Sequence, residues 1–367
     1  MKRILINACM VTKQPTGVAV HNIELLRKLY PKLIQQNIDF NIYCYDPQSL
    51  NFIENKNNIK SITLHFIPQL ILKKFLSLHR LYWNLFCLKK ISSNYDTILS
   101  LSTYGSLNSE KQIIFIHDLI SLNFPYQHKF QYLYFKFLVP IILNNSKRLI
   151  AISDFTQREI YKFYNISDRQ KIIVIKNGVD HVKDSSTLLS DKFVDEISNK
   201  NEYLLSIGAS YSHKNIERLL VAMSKPTLRD EKIIIVGKPC SYYEHIKNRF
   251  SNNSGKNIIF LDYVNDEILS SLYKKAKLHI YLSLYEGFGF PPAEAKFYKT
   301  ESLISKQPAL EEIYGSLCEK AEPTDVNEIE NKIIECLNSR SCTKSSIDLI
   351  SLYNWNSTAD KVLKLII

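Results

Sequence analysis

The sequence lacks long hydrophobic runs and paired cysteines. Its longest apolar stretches, 64–72 and 130–143, are too short and too interrupted for the roughly 20 residues of a membrane-spanning helix. The seven cysteines include no Cys-x-x-Cys spacing, so neither a disulfide framework nor a zinc site is indicated, and a reducing compartment, the cytoplasm, is expected. A polar turn at 12–15 interrupts the apolar start, which predicts a buried first strand and no secretion signal.

Acidic residues are scarce in the first half of the chain. Residues 1–180 hold 23 lysines and arginines against 11 aspartates and glutamates, whereas the remainder holds 24 against 25. The excess behind the net charge of +11 therefore lies entirely in the first half. This distribution predicts an anionic partner for that half, such as a phospholipid surface, a pyrophosphate-linked lipid or a nucleic acid. Solubility alone is the competing explanation.

Short apolar runs alternate with longer amphipathic runs, which is typical of parallel sheets flanked by helices. The predicted strands are 4–7, 40–45, 97–100, 113–116, 149–152, 172–175, 203–207, 233–236, 258–261, 278–282 and 302–305. The predicted helices are 19–30, 130–144, 155–163, 216–223, 242–250, 268–275, 292–297, 329–337 and 358–366. Because the pattern restarts after a polar stretch at 180–201, two α/β domains in tandem are expected.

Ligands of open α/β sheets bind at the carboxyl ends of the strands, and several loops there contain suitable residues. Gly17 opens a helix after the first strand and leaves backbone N–H groups accessible. His117 follows the strand at 113–116 and can titrate or donate near a ligand, although a lone histidine is more often structural. Lys214 lies just before a helix start, where a bound anion explains a cation better than helix stability does.

The loop at 283–295 is the most specific of these segments. Gly287 and Gly289 free the backbone, two prolines pre-set the first helical turn, and Glu286 and Glu294 bracket the glycines. A carboxylate suits bidentate contact with vicinal sugar hydroxyls, while loop N–H groups and a helix start suit phosphate. A favourable first-turn acid would explain Glu294 alone, but neither Glu286 nor the glycines.

The segment 286–295, Glu-Gly-Phe-Gly-Phe-Pro-Pro-Ala-Glu-Ala, resembles the signature of glycosyltransferase family 4, retaining enzymes of the GT-B fold. Further resemblance extends over nearly the whole chain, at 16–26, 117–119, 152–156, 176–180, 213–215 and 260–264. The subgroup resembled most is that of the mannosyltransferase-B-like enzymes of bacterial O-antigen and capsule synthesis. The resemblance implies two Rossmann-like doubly wound domains with an interdomain cleft.

In this family pattern, residues 1–182 would form the acceptor-binding domain and residues 183–355 the domain that binds the nucleotide-sugar donor. A C-terminal helix at 356–367 would be a candidate to pack back on the first domain. The catalytic residues implied are His117, Lys214 and Glu286. The donor-binding residues implied are Gly17, His213, Lys214, Tyr263, Val264, Glu286, Gly287, Phe288, Gly289 and Glu294.

The resemblance also implies individual roles. Lys214 would neutralise the donor pyrophosphate, and Glu294 would hold the ribose hydroxyls. Glu286 would bind the transferred sugar with the amides of the glycine loop, and His117 would contact that sugar from the first domain. The backbone at 263–264 would meet the base.

The implied reaction is metal-independent and retaining, with no cofactor. No Asp-x-Asp motif is present, so Lys214 and a helix start would supply the charge of a divalent ion. The substrates would be a nucleotide-sugar, GDP-mannose by subgroup analogy, and a lipid-linked or growing bacterial surface polysaccharide. Front-face attack is favoured because Glu286 resembles a sugar ligand and not a nucleophile.

Several alternatives stay open. His213 stands where the family has arginine, and 299–301 departs from a usual Gly-Thr-Pro, so a catalytically degenerate donor-binding subunit is one alternative. A UDP-sugar, GDP-fucose or dTDP-rhamnose donor is another. A sugar-nucleotide epimerase fits less well, and a nucleic-acid partner is not expected because no recognition motif for that class is present.

The stretch 70–90 combines helical apolar spacing with cations. Apolar residues recur at 71, 75, 78, 82 and 85, and cations lie at 73, 74, 80, 89 and 90. This pattern predicts peripheral attachment to the inner face of an anionic cell membrane. The same stripe is equally compatible with packing on the first sheet.

Overall fold

The computed structural model of the protein describes residues 2–12, 16–63, 76–166, 168–251, 257–339 and 346–367. The chain forms two compact units. Unit 1 comprises Met1–His181 and Tyr353–Ile367, and unit 2 comprises Val182–Leu352.

Unit 1 is an α/β unit with a parallel sheet. Its strands are β1 (Arg3–Asn7), β2 (Asp39–Cys44), β3 (Ile59–Ser61), β4 (Thr97–Ser100), β5 (Gln112–Ile116), β6 (Arg148–Ala151) and β7 (Ile172–Val174). Its helices are α1 (Gly17–Gln35), α2 (Leu76–Tyr82), α3 (Leu88–Ser92), α4 (Ile120–Asn123), α5 (Lys129–Leu133), α6 (Val139–Asn145), α7 (Asp154–Phe163) and α16 (Trp355–Ile366). The strand order is β3-β2-β1-β4-β5-β6-β7.

Unit 2 repeats this architecture. Its strands are β8 (Tyr203–Ile207), β9 (Ile233–Val236), β10 (Ile258–Leu261), β11 (Ala276–Tyr281), β12 (Ser302–Ser305) and β13 (Glu319–Ala321). Its helices are α8 (Leu188–Ser198), α9 (Ile216–Met223), α10 (Ser241–Ser251), α11 (Asp266–Lys275), α12 (Pro291–Phe297), α13 (Pro308–Tyr314), α14 (Val326–Asn338) and α15 (Ser346–Leu352). The strand order is β10-β9-β8-β11-β12-β13, all parallel.

Burial explains why these segments form strands. β5 and β9 are buried at every residue, as expected for parallel strands covered by helices on both faces. In unit 1, α16 packs on α1, and Lys32 and Asp360 form a 2.7 Å ion pair across the two helices. The predicted fold class, two parallel-sheet α/β domains, is confirmed.

Two helical segments of unit 1 contain π-helical turns. Trp83–Cys87 joins α2 to α3, and Tyr134–Leu138 joins α5 to α6. A π turn adds a residue to the helical repeat and rotates the side chains that follow it. Among the described residues, no helix is long and apolar enough to cross a bilayer.

Candidate functional site

The site in unit 2 begins where β8 ends. A 3₁₀ turn, Ser212–Lys214, follows the strand, and Asn215 then adopts a left-handed conformation with φ of 61° before α9 starts. The Asn215 amide donates to the Pro323 carbonyl at 2.6 Å and makes no cap bond to the helix. Lys214 is therefore placed on a tight turn directly before a helix whose first N–H groups lack a side-chain cap from that residue.

The loop after β11 brings Glu286 to the same place. The Leu284 amide and the Ser283 hydroxyl both donate to the His213 carbonyl, at 2.7 and 3.2 Å. These bonds tie the β11 loop to the turn that precedes α9. The two predicted residues therefore meet although 72 positions separate them in the chain.

Lys214, Glu286 and Tyr281 form a hydrogen-bonded group, called here the Lys214 cluster. Lys214 Nζ lies 2.6 Å from Glu286 Oε1 and donates to the Tyr281 hydroxyl at 2.9 Å. Tyr281 donates to the same carboxylate oxygen at 2.7 Å. The side chains of the ion pair keep only 18% and 12% of their exposure, so solvent screens the pair weakly.

The Lys214 cluster controls the protonation of its own members. Burial raises the pKa of Glu286, but the Lys214 and His213 charges and the Lys214 hydrogen bond outweigh it, and the pKa lies below its ordinary value. Burial and the Glu286 carboxylate raise the pKa of Tyr281 well above its ordinary value. At neutral pH Glu286 is therefore an ionised acceptor, and Tyr281 is a protonated donor.

Glycine is required at two points around the Lys214 cluster. Gly289 has φ of 80°, and a Cβ there would lie 2.7 Å from Leu310 Cδ2. Gly208, at the end of β8, has φ of 92°. These backbone conformations favour glycine and bring the two loops together without side-chain clashes.

Glu294 lies in the first turn of α12, close to the loop but with a different partner. Its Oε2 accepts from the buried Tyr273 hydroxyl at 2.7 Å. Burial, followed by the Glu294 charge, raises the pKa of Tyr273 well above its ordinary value. Each of the two bracketing carboxylates therefore accepts from a protonated tyrosine, Glu286 from Tyr281 and Glu294 from Tyr273.

The other predicted donor-binding residues are less closely grouped. His213 is buried, and its ring stacks on the Tyr211 ring with 5.5 Å between the centroids. Its backbone carbonyl accepts the hydrogen bonds that join the two loops. Gly287 and Phe288 lie in the loop between Glu286 and Gly289, and Phe288 is buried against the Tyr314 ring.

Tyr263 and Val264 follow β10, the edge strand of the sheet. Tyr263 is 60% exposed, whereas Val264 packs partly on the core. Among the described residues, no hydrogen bond joins either of them to the Lys214 cluster.

In unit 1, His117 lies at the carboxyl end of β5. Its Nε2 donates to the Leu101 carbonyl at 2.9 Å, and its ring meets the His21 ring edge-on at 4.5 Å. His21 projects from α1, and its Nδ1 lies 2.8 Å from Asn177 Oδ1. Gly17 is the exposed first residue of the same helix.

Both imidazoles are neutral at physiological pH. Burial lowers the pKa of His117 to about 4, and burial followed by the His117 charge lowers that of His21 well below its ordinary value. Because the Nε2 proton of His117 is bound to a carbonyl, its Nδ1 carries a lone pair. His117 can therefore accept a hydrogen bond from a hydroxyl at that atom without carrying charge.

Sequence reasoning did not assign site roles to Tyr281, Tyr273 or His21. Tyr281 is the last residue of β11, so the rule that ligands bind at strand ends was a signal for it. Tyr273 lies on α11, and its contact with Glu294 depends on how that helix packs on the sheet. His21 and His117 are 96 positions apart, and no local pattern relates them.

Two family models match the chain. The model described as glycosyl transferases group 1 matches residues 189–349, and that described as glycosyltransferase family 4 matches residues 15–183. Together they cover most of both units.

Individual proteins agree with these families. The chain is 31% identical over 204 residues to the O-antigen chain mannosyltransferase RfbU of Salmonella typhimurium, covering 55% of this chain and 54% of the relative. It is 27% identical over 234 residues to O-antigen chain mannosyltransferase B of Escherichia coli, covering 62% and 61%. The chain thus spans between half and two thirds of the length of these curated relatives.

A solved structure shows the same fold. The Anabaena protein Alr3699/HepE, in complex with UDP and glucose, superposes with a TM-score of 0.70 at 16% identity, covering 100% of this chain and 99% of that one. The fold is that of the GT-B glycosyltransferases.

Proposed function

The chain belongs to the glycosyltransferase families whose models it matches, and from this premise we propose that it is a retaining hexosyltransferase acting on a bacterial surface polysaccharide. The Lys214 cluster carries the proposal, because a cation and a carboxylate meet at the strand ends of unit 2. A nucleotide-sugar presents a diphosphate for the cation and hydroxyls for the carboxylate.

The Lys214 cluster suits this reaction because its partners are exchangeable. When a diphosphate is present, Lys214 pairs with the phosphate, and Glu286 is released to accept from sugar hydroxyls. Tyr281 continues to donate to Glu286, so the buried carboxylate is never left without a partner. The uncapped start of α9 adds N–H groups beside the phosphate.

The transfer proceeds by front-face attack. The bond between the anomeric carbon and the phosphate oxygen breaks, and the acceptor hydroxyl oxygen bonds to the same face of the sugar. The acceptor proton passes to the leaving phosphate, whose charge Lys214 stabilises without a divalent ion. The proposed role of His117 is to accept a hydrogen bond from a substrate hydroxyl at its unprotonated Nδ1.

The two relatives are named as mannosyltransferases, which favours mannose as the sugar, so GDP-mannose is the proposed donor. The test is thermal stabilisation by GDP, UDP and dTDP, followed by transfer from the matching sugar nucleotides with and without EDTA. A ligand at 100 times its Kd adds about 2.7 kcal/mol of stability. Donor binding without transfer or donor hydrolysis would favour the degenerate-subunit alternative, and EDTA inhibition reversed by magnesium would overturn metal independence.

Attachment to an anionic membrane is proposed for unit 1, and the structure offers an exposed apolar surface for it. From the turn before α5 through α5, the π turn and α6, exposed large apolar side chains recur every three or four residues. This row comprises Tyr126, Phe130, Leu133, Phe137 and Ile141. Tyr126 and Phe130 expose 90% and 84% of their surface. A row of this size is unusual on a surface that meets only water.

Charge complementarity favours an anionic membrane as the partner. No aspartate or glutamate occurs between Asp118 and Asp154, whereas Lys129 and Lys136 lie within the helical segment. A second copy of this basic surface would repel the first, but anionic lipid headgroups would attract it. The apolar row would then enter the headgroup boundary, as in interfacial helices.

The stretch predicted from sequence contributes only in part. Residues 70–75, with the lysines at 73 and 74, lie outside the described residues. Leu78, Tyr82, Lys89 and Lys90 are exposed, as membrane contact requires. Arg80 was predicted to be one of the headgroup cations, and this is wrong, because its side chain is buried and its Nε donates to the Cys9 carbonyl, just after β1.

Co-sedimentation of the full chain with vesicles of neutral lipid, with and without anionic phosphatidylglycerol, tests this surface. We expect binding that needs the anionic lipid, weakens at high salt and falls several-fold in the double variant Phe130→Ser, Phe137→Ser. The matched control is Leu188→Ser, Leu189→Ser, which removes two exposed apolar side chains from unit 2. Equal vesicle binding by both double variants would rule out the row.

A further inference from the structure

Unit 1 contains a buried arginine without a carboxylate partner. Arg80 retains 8% of its exposure, its Nε donates to the Cys9 carbonyl at 3.2 Å, and its guanidinium lies 5.6 Å from the Tyr104 ring. Within the described part of unit 1, none of the ion pairs includes Arg80. A buried guanidinium is costly unless an anion pairs with it.

A second buried donor lies beside it. His79 is 5% exposed, and its Nδ1 is 2.7 Å from the Tyr45 hydroxyl. Its Nε2 is buried without a hydrogen-bond partner in the described structure. When Tyr45 donates to Nδ1, the ring proton lies on Nε2, so the imidazole presents an unused N–H group.

The topology places these groups where a ligand is expected. Cys9, Tyr45 and Tyr104 follow β1, β2 and β4. In this parallel sheet β2 and β3 lie on one side of β1 and β4 to β7 on the other, so the order of the strands reverses between β1 and β4. In open α/β sheets, this reversal opens a crevice at the carboxyl ends of the strands.

We propose that Arg80, His79 and Tyr45 form an oxyanion subsite that binds a phosphate group. The planar guanidinium can donate two hydrogen bonds to two oxygens of such a group, and the His79 Nε2–H can donate to a third oxygen. No acidic residue occurs between Glu54 and Asp96 to compete for these donors. That the phosphate belongs to the acceptor, as a lipid diphosphate, rests on the proposed function; the subsite itself does not.

Titration with inorganic pyrophosphate tests the subsite, using the full chain saturated with a nucleoside diphosphate so that unit 2 is occupied. Binding is followed by the NMR signal of the His79 imidazole. We expect a saturable shift in the wild type and about tenfold or greater loss of affinity in Arg80→Met, with a smaller loss in Arg80→Lys. Lys111→Met is the control, because Lys111 is also a unit 1 cation that donates to a carbonyl.

The fluorescence of Trp83 and Trp355, which both lie in unit 1, shows whether that unit is folded in each variant. If Arg80→Met does not fold, Arg80→Lys and Tyr45→Phe decide the result. An absent His79 shift in the wild type, or an unchanged affinity in a folded Arg80 variant, would overturn the subsite. Replacing pyrophosphate by geranyl diphosphate separates the sources: tighter binding indicates a lipid-linked phosphate, and equal binding indicates recognition of the anion alone. Neither result depends on sugar transfer.

Discussion

The Lys214 cluster of unit 2 and the His117–His21 pair of unit 1 have opposite chemistry. In unit 2, Lys214 and Glu286 form an ion pair of 2.6 Å, and the Tyr281 hydroxyl donates to the Glu286 carboxylate. In unit 1, His117 and His21 are buried, neutral and held by a carbonyl and an amide. Two units of the same architecture therefore contain a charged cluster in unit 2 and, at the end of β5 in unit 1, an uncharged histidine pair.

The difference shows how each unit keeps polar groups buried. Unit 2 balances the desolvation of a carboxylate with a nearby cation, which holds its pKa down. Unit 1 lets desolvation remove the charge from its imidazoles. The Lys214 cluster is therefore suited to a charged ligand, whereas the neutral histidine pair is suited to hydrogen bonds with hydroxyl groups.

The largest expected effect is on the charged site. Lys214→Met should lower the rate of hexose transfer by roughly a hundred- to thousand-fold, about 3–4 kcal/mol, because the developing phosphate charge loses its cation. Single-turnover transfer measures this. Lys225→Met is the matched control, since Lys225 and Glu330 form a unit 2 ion pair of the same length outside the site. Equal losses in the two variants would remove Lys214 from the reaction.

The Lys214 replacement also has a pH signature. The pKa of Glu286 lies below its ordinary 4.5 in the folded protein, so its contribution to stability is present above pH 4.5 and is lost as the pH falls through the lower folded value. Without Lys214, burial raises that pKa above its ordinary value and the sign reverses: we expect the loss at low pH to disappear and stability to fall as the pH rises through the raised pKa. A folded variant with an unshifted unfolding profile would contradict the coupling.

The next effect concerns the neutral site. Since the pKa of His117 falls from 6.5 to about 4 on folding, its stability contribution is present above pH 6.5 and is lost as the pH falls towards 4, by about 3 kcal/mol. Urea unfolding of His117→Gln should therefore show a flatter acid limb. The two tryptophans, Trp83 and Trp355, both lie in unit 1 and report its unfolding. An unchanged acid limb, or an equal change in the surface variant His245→Gln, would count against it.

A smaller effect distinguishes the role of Glu294 in nucleotide binding from the role of Glu286 in turnover. Glu294→Ala should weaken nucleoside diphosphate binding by about 10- to 100-fold, as expected for loss of a charged hydrogen bond of about 1.5–3 kcal/mol. Glu286→Ala should lower turnover while the diphosphate affinity changes little, because its role is with the sugar. Calorimetric titration with GDP measures both affinities, and equal losses would refute this division.

The smallest effect tests whether Tyr281 acts on Glu286. Tyr281→Phe should lower turnover by roughly fivefold, near 1 kcal/mol, with GDP affinity unchanged, because Glu286 loses its tyrosine donor whereas Lys214 stays available to the diphosphate. Tyr203→Phe is the control, since it removes a buried hydroxyl that donates to the Leu272 carbonyl outside the site. A turnover loss common to both would indicate general destabilisation.

Apolar runs located most of the fold in advance. The strands at 97–100, 203–207, 233–236, 258–261 and 302–305 begin and end as predicted. β3 and β13 were not predicted, because each has three residues at or near a sheet edge and includes a lysine. Their pairing depends on a neighbouring strand already in place, which local hydrophobicity does not report. The helix α13 was also missed.

The candidate site divides in the same way. Glycine spacing, two prolines and two carboxylates identified the loop after β11, since each of these residues has a local conformational or chemical reason to be there. The partner of each carboxylate was not identifiable. Tyr273 contacts Glu294 because of how α11 packs, and Tyr281 contacts Glu286 from the end of β11. Such contacts produce no periodic pattern in the sequence.

By itself the sequence determined the parallel α/β architecture, the one-sided basic charge and the residue types at the strand ends, because periodicity and composition are properties of the chain. Only the tertiary structure decided which charges are paired. It turned Arg80 inward, joined Lys214 to Glu286 and packed His21 edge-on against His117. Burial sets the cost of a charge and the pKa of an imidazole, and burial exists only once distant segments have packed together.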